Sequence, residues 1–212
     1  MKTLNTVAFL LFAFFITSCG AEPAPKKHEL TGKELTATIF TDIGDIKVIL
    51  YAEKTPVTVA NFVNLAQRGY YNGSNFHRVV PGFVSQGGMH PSGNPRPGYT
   101  IKNETYTENS EIAELKHSKA GMLSMARTNQ LHTNGSQWYI THDATPSLDG
   151  KYTVFGEVTE GLDLALKMNQ GTLIKKIEIT SDASELLKLE AENVKMWNKV
   201  LDANFPDLAP AS

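Results

Sequence analysis

The feature that most constrains this fold is the division of the chain between Leu35 and Ile179 into short β-rich runs separated by Gly, Asn and Pro. Valine, isoleucine, threonine and aromatic residues favour strands, whereas the separating residues favour turns. Many short strands with turns between them predict a mainly β barrel or sandwich around one core. The predicted strands are 36–40, 46–50, 75–80, 121–126, 137–141, 153–158 and 173–179.

Helical segments interrupt and follow the strands. Thr55 is a predicted cap and Pro56 a predicted first residue of a helix that closes at Gly69. A second short helix is predicted over 162–168. The tail from Ser181 predicts a third, which either docks on the barrel or binds a partner, because an apolar stripe of this kind suits a core and an interface equally. Its stripe consists of Leu187, Ala191, Val194, Trp197 and Leu201.

Composition excludes several classes of function. The chain has 20 Lys and Arg against 22 Asp and Glu with no basic cluster, so we do not expect it to bind nucleic acid. One cysteine excludes internal disulfides and a cysteine-built zinc site, and the six histidines lack the spacing of a helical metal site. The sequence has no dinucleotide, phosphate-loop or metalloprotease motif, so we expect no cofactor and no metal.

The N-terminus predicts export and a lipid anchor. Ten apolar residues from Val7 to Ile16 are too few to span a membrane and are typical of a signal peptide. Residues 16–20 resemble a bacterial lipobox, which implies lipidation of Cys19; a plain secretory cleavage near Ala21 is the alternative. We therefore expect a signal peptide over 1–18, a Pro-rich, charged tether over 19–33 and a membrane-anchored envelope protein. Gly20 favours the outer membrane.

Four segments carry more specific information. They are FHRVVPGFVSQGG at 76–88, GMLSMAR at 121–127, NGSQWYI at 134–140 and LDGKYTVFG at 148–156. In this order and spacing they resemble the cyclophilins, the peptidyl-prolyl cis-trans isomerases, over about residues 36–180. The resemblance implies a closed eight-stranded antiparallel β-barrel capped by two α-helices over 34–180, with 181–212 as a C-terminal helical extension.

The resemblance also implies a role for individual residues. Arg78 would engage the proline nitrogen of a twisted peptide bond, Gln86 would orient it, and Phe83, Tyr139 and Leu148 would grip the proline ring. The implied catalytic residues are Arg78, Phe83 and Gln86, and the implied substrate-binding residues are His77, Val84, Ala126, Arg127, Gln137, Tyr139, Leu148 and Tyr152.

Three departures from the family pattern bear on substrates and inhibitors. Ser147 stands where many members carry an aromatic residue, so we expect weak cyclosporin binding. Tyr152 replaces the usual histidine, and the Pro-rich segment 89–98 replaces a Gly-rich loop. The expected function is isomerisation of Xaa-Pro bonds in exported proteins, the partners being their Pro-containing unfolded or flexible segments. A tethered Pro-peptide binding module with little turnover is the alternative, and a solute-binding lipoprotein is disfavoured because one barrel offers no second lobe.

Overall fold

The computed structural model describes Leu30, residues 34–107 and residues 109–211. These residues form nine strands, four α-helices and two short 3-10 helices. The strands are β1 (Leu35–Thr41), β2 (Gly44–Leu50), β3 (Ser74–Asn75), β4 (Arg78–Val80), β5 (Val84–Gly87), β6 (Met122–Met125), β7 (Trp138–Thr141), β8 (Val154–Glu160) and β9 (Leu173–Ile179). The helices are α1 (Pro56–Gln67), α2 (Leu162–Lys167), α3 (Ser184–Leu189) and α4 (Ala191–Asn204).

All nine strands belong to one antiparallel sheet, in the order β3-β9-β1-β2-β8-β6-β7-β5-β4. Its two edge strands, β3 and β4, are consecutive in the chain and are separated only by Phe76 and His77. Counted as one interrupted strand, they close the ring of eight that the resemblance implies. The mainly β fold with helices is therefore confirmed.

The predicted strand over 75–80 is wrong in its continuity. Strict alternation would place Phe76 and Arg78 on the same face of the sheet, yet Phe76 is fully buried and Arg78 is exposed. The reason is that the backbone of Phe76 pairs with the turn before β9. Its N–H donates to the Thr172 carbonyl at 2.9 Å, and its carbonyl accepts from Gly171 at 2.9 Å.

The barrel core is built around aromatic side chains that meet edge to face. Trp138 lies 5.5 Å from Phe76 and 6.1 Å from Phe62, between ring centroids, at interplanar angles of 89° and 79°. Rings at such angles gain more than their buried area alone provides. Trp138 therefore fixes the inward face of β7, and its neighbour Tyr139 must point outward.

The helix α1 begins at Pro56 as predicted, but Thr55 does not cap it. The Thr55 hydroxyl donates back to the Tyr51 carbonyl at 3.2 Å. A distant carboxylate takes its place, because Glu104 accepts from the N–H groups of Val57 and Thr58 at 3.2 and 2.8 Å. A negative charge at this position satisfies unpaired N–H groups and complements the helix dipole.

The C-terminal tail docks on the barrel as two helices rather than the single one predicted, with the break at Glu190. Trp197 and Leu201 of α4 are buried in the common core. No helix among the described residues is both long and apolar enough to cross a membrane. The predicted signal peptide, the predicted lipidation site Cys19 and the predicted tether except Leu30 lie outside the described residues.

Candidate active site

One row of the sheet aligns four polar side chains. Arg78 of β4 pairs with Gln86 of β5, Gln86 pairs with Tyr139 of β7, and Tyr139 pairs with Ser124 of β6. Residues paired directly across strands project to the same face. Since Trp138 points into the core, this row lies on the outside of the barrel. The register thus assembles the site from residues far apart in sequence.

The side chains continue this row as a directed chain of hydrogen bonds. Arg78 Nη1 donates to Gln86 Oε1 at 3.5 Å, Gln86 Nε2 to Gln137 Oε1 at 2.9 Å, and Gln137 Nε2 to the Pro95 carbonyl at 2.9 Å. A backbone carbonyl can only accept, so it fixes which end of the Gln137 amide faces it. That choice orients Gln86, whose oxygen then faces the exposed guanidinium.

A groove of about 440 Å³ runs beside this chain of amides. Of the predicted site residues, Gln86, Ala126, Arg127 and Gln137 line it. The remaining lining residues were not predicted from the sequence: Pro95, Arg96, Thr128, Thr133, Gly135 and Ser136. The segment 89–98 departs from the family pattern, and in the structure its residues Pro95 and Arg96 form part of one wall of the groove.

The residues predicted to form a proline pocket differ in burial. Tyr139 is buried, and its ring meets Tyr152 edge to face at 6.1 Å. Val84 is buried beside it on β5, two residues along the strand from Gln86. Phe83 is half-buried on the turn before β5, and Leu148 is half-buried at the end of a short 3-10 helix, Pro146–Leu148, between β7 and β8.

The Arg127 side chain is already engaged. Its guanidinium carbon lies 5.0 Å from the centre of the Tyr152 ring, Nε donates to the Lys151 carbonyl at 2.8 Å, and Nη1 donates to the Thr128 carbonyl at 2.8 Å. These contacts join the loop after β6 to the segment before β8. The Arg127 side chain thus braces one wall of the groove.

A buried histidine contacts Tyr139 of the predicted proline pocket and was missed by sequence reasoning. His117 is fully buried, and burial lowers its pKa, so the ring is neutral at pH 7. Nδ1 lies 2.9 Å from the Asp149 carboxylate, which can only accept; Nδ1 therefore carries the proton. Nε2 is left to accept from the hydroxyls of Tyr139 and Ser124 at 2.9 and 3.0 Å.

This network ties two parts of the pocket together. Asp149 also accepts from the backbone N–H of His117 at 2.7 Å, and it directly follows Leu148. Burial raises the pKa of Tyr139, so its hydroxyl stays a donor at any physiological pH. The one signal in the sequence was the position of Asp149 beside Leu148, and nothing in the spacing linked it to His117.

His77 lies half-buried next to Arg78. Burial is the main cause that lowers its pKa; the Arg78 charge lowers it further, and a hydrogen bond with Gln137 opposes both. His77 therefore contributes a neutral ring at pH 7. Among the described residues, no three His, Cys, Asp or Glu side chains are grouped so as to hold a metal ion.

Comparisons with known proteins give matches to one family. Residues 36–188 match the family described as cyclophilin type peptidyl-prolyl cis-trans isomerase/CLD. Peptidyl-prolyl cis-trans isomerase B of Bacillus subtilis is 47% identical over 142 residues, which cover 66% of this chain and 94% of that protein. A peptidyl-prolyl cis-trans isomerase of Helicobacter pylori is 42% identical over 158 residues, covering 73% and 93%.

Solved structures show the same fold. A crystal structure of a cyclophilin type peptidyl-prolyl cis-trans isomerase from Cryptosporidium parvum has a TM-score of 0.62 at 32% identity, covering 71% of this chain and 99% of that one. A second structure of that protein, in the presence of the dipeptide Ala-Pro, has a TM-score of 0.61, also at 32% identity, and covers 69% of this chain and 99% of that one.

Proposed function

This chain belongs to the cyclophilin type peptidyl-prolyl cis-trans isomerases, and we propose that it catalyses rotation about Xaa-Pro bonds in exported proteins at a bacterial cell envelope. The observation that carries the proposed site is the directed chain from the Pro95 carbonyl through Gln137 and Gln86 to Arg78. It holds one exposed guanidinium in a fixed direction beside a peptide-sized groove.

The reaction needs no covalent step. Rotation about the peptide bond breaks amide resonance and meets a barrier of about 18–20 kcal/mol. In the twisted state the proline nitrogen regains a lone pair, whereas in both planar states that pair is delocalised. A donor aimed at this nitrogen therefore binds the transition state better than either ground state, which is the requirement for catalysis.

Arg78 is the group proposed to supply that donor. Its guanidinium is always charged and planar, so its donor direction is set once Gln86 fixes the fork. The extended substrate would lie along the groove, with Ala126 and Gln137 on its sides. The proline ring would rest on Tyr139 beside Phe83 and Leu148. A related structure in the presence of Ala-Pro supports this choice of ligand.

The site includes few features that select a particular residue before proline. The described residues that line the groove supply two amides, three hydroxyls and the guanidinium groups of Arg96 and Arg127, with no carboxylate and no large apolar side chain among them. We therefore propose a broad substrate range of unfolded or flexible Pro-containing segments. Weak binding of each segment follows, because little apolar surface is buried on either side.

The placement at the envelope is supported by the sequence of the N-terminus. Residues 7–16 are apolar, and residues 16–20 have the lipobox pattern ending at Cys19 and Gly20. Several acyl chains on one terminus anchor a protein stably. The proposal is a lipid anchor at Cys19, with the isomerase domain facing the periplasm or the cell exterior and the outer membrane favoured.

The activity is tested by NMR exchange of an Ala-Pro peptide. The chain starting at Gly20, which retains every described residue, should accelerate exchange, and Arg78→Ala should lose most of this acceleration while it keeps the parent spectrum. Lys47→Ala, which removes an exposed strand cation paired with Glu160 at 2.8 Å, should behave as the parent. Peptide binding without acceleration in the parent would instead identify a tethered binding module.

The anchor is tested on the full chain expressed in a bacterium. Mass spectrometry of the mature N-terminus should find a diacylated or triacylated Cys19, and the protein should partition into detergent. Cys19→Ala should abolish both. A mature chain that begins after Cys19 would overturn the lipid anchor and leave simple secretion.

A further inference from the structure

The helix α4 lies beyond the residues matched by the family, which end at 188, yet it packs against the loop that walls the groove. We call residues 89–99 the groove loop. Trp197 of α4 stacks on Tyr99 at 5.7 Å and 13°, and Phe205, directly after α4, lies 4.7 Å from the His90 ring. The C-terminal extension thus contacts both ends of the groove loop.

Between these contacts the helix approaches the loop backbone. Gly98 has φ of 95°, a conformation that favours glycine, and a Cβ at this position would collide with Asn204 and lie 2.9 Å from Val200 Cγ1. Glycine at this position therefore leaves room for the Asn204 and Val200 side chains of α4 against the loop. The sequence of the loop is therefore matched to the helix that covers it.

The extension is itself held firmly to the barrel. Arg68, at the end of α1, is buried and donates to Asn198 at 2.9 Å and to Asp202 at 2.7 Å. Asn64 Nδ2 donates to the same Asn198 oxygen at 3.0 Å. Hydrogen bonds to a buried charged group are among the stronger ones in proteins. Thus α4 is a fixed support rather than a loose tail.

The groove loop lines the groove with Pro95 and Arg96, and the Pro95 carbonyl accepts from Gln137 Nε2. This carbonyl decides the orientation of the Gln137 amide and, through Gln86, that of Arg78. We propose that Trp197 and Phe205 are positioning residues of the isomerase: they hold the groove loop so that the Pro95 carbonyl keeps the amide chain and Arg78 aligned. The inference rests on the site proposed above.

The proposal predicts that a change at the loop contact lowers turnover without touching the groove. Phe205→Leu keeps an apolar residue but removes the ring that packs on His90 and Tyr70. We expect kcat/KM for an Ala-Pro peptide to fall between about twofold and thirtyfold, the range typical of coupling at a distance. The loss should appear in kcat, because the alignment of Arg78 stabilises the twisted state and not the planar ones.

Two comparisons separate positioning from general destabilisation. Leu186→Ala removes a buried side chain from α3, which packs on α1 and α4, and should lower stability without lowering kcat at a temperature where the protein is folded. In a Gln137→Ala background the alignment is already lost, so Phe205→Leu should have no further effect. A double-mutant cycle measures this coupling.

A spectroscopic readout tests the link without activity. The side-chain amide resonances of Gln137 and the Arg78 Nε–H resonance should shift in Phe205→Leu and stay unchanged in Leu186→Ala. The proposal is overturned if the parent is active and Phe205→Leu has the same kcat, or if Leu186→Ala loses as much kcat as Phe205→Leu. It is also overturned if the losses in kcat of Phe205→Leu and Gln137→Ala multiply in the double variant. An inactive parent refutes the proposed function instead, and the amide resonances still decide whether the extension positions Gln137.

Discussion

Removing the Tyr139 hydroxyl tests how the floor of the pocket is supported. In Tyr139→Phe the ring remains, so the buried apolar surface is unchanged, and His117 Nε2 keeps its second donor, Ser124, at 3.0 Å. The loss is that of one neutral hydrogen bond, about 0.5–1.5 kcal/mol of unfolding free energy. Ser124→Ala should cost a similar amount, because Tyr139 then remains as the donor at 2.9 Å.

The double variant is the sharper case. With both hydroxyls gone, Nε2 of a fully buried ring has no donor, and the cost of an unsatisfied buried acceptor, about 1–3 kcal/mol, adds to the two single losses. Urea unfolding gives the free energy of unfolding of the two single variants and the double variant, which can be compared if their m-values are equal. Tyr152→Phe is the control, because the Tyr152 hydroxyl lies outside the network. A double variant that costs no more than the sum of the singles would refute the shared acceptor. Turnover of Tyr139→Phe should stay near the parent, since the proposed contact of the proline ring is with the aromatic face, which phenylalanine keeps.

Three further predictions concern the site and its protonation. Arg78→Lys should lose at least about tenfold in kcat/KM by NMR exchange, because an ammonium lacks the planar fork, while unfolding changes by less than about 0.5 kcal/mol for this exposed residue. Ser147→Trp should tighten cyclosporin binding in a fluorescence titration, and unchanged binding would argue against a missing pocket wall. Burial lowers the pKa of His77, His90, His117 and His142. The unfolded chain therefore takes up protons at a higher pH than the folded protein, and the free energy of unfolding should fall as the pH drops below about 6.5. A free energy of unfolding that stays constant between pH 7 and 5 would contradict this.

The parts predicted correctly from sequence are those fixed by local periodicity. The strand predicted over 137–141 is β7, and Pro56 begins α1 as predicted because its fixed φ and missing N–H suit a first turn. The cap of α1 escaped prediction because Glu104 reaches it from 46 residues further along the chain. Thr55 stands at the position where a local cap is expected, and no pattern in the sequence indicates that Glu104 takes its place.

The candidate site divides in the same way. Arg78 and Gln86 could be placed together because a turn at 81–83 makes their strands a hairpin. The role of Pro95 in the groove wall could not be predicted, because its hydrogen bond is made by the backbone carbonyl. Every residue has such a carbonyl, so the sequence does not mark this one. The supporting His117 was one of six scattered histidines, and only the fold brings it to Tyr139.

The polarity of the amide chain yields the last prediction. In Gln137→Glu the atom facing the Pro95 carbonyl is an oxygen; two acceptors then oppose each other and the side chain must turn away, which releases Gln86. Below the pKa of the new carboxyl group a proton restores a donor. Turnover of Gln137→Glu should therefore be low at pH 7 and rise toward pH 5, whereas turnover of Gln137→Leu should stay low at both pH values. The parent is the control, because it shows any change in turnover that is caused by protonation of His77. A Gln137→Glu profile that follows the parent would mean that the Pro95 carbonyl does not orient the site.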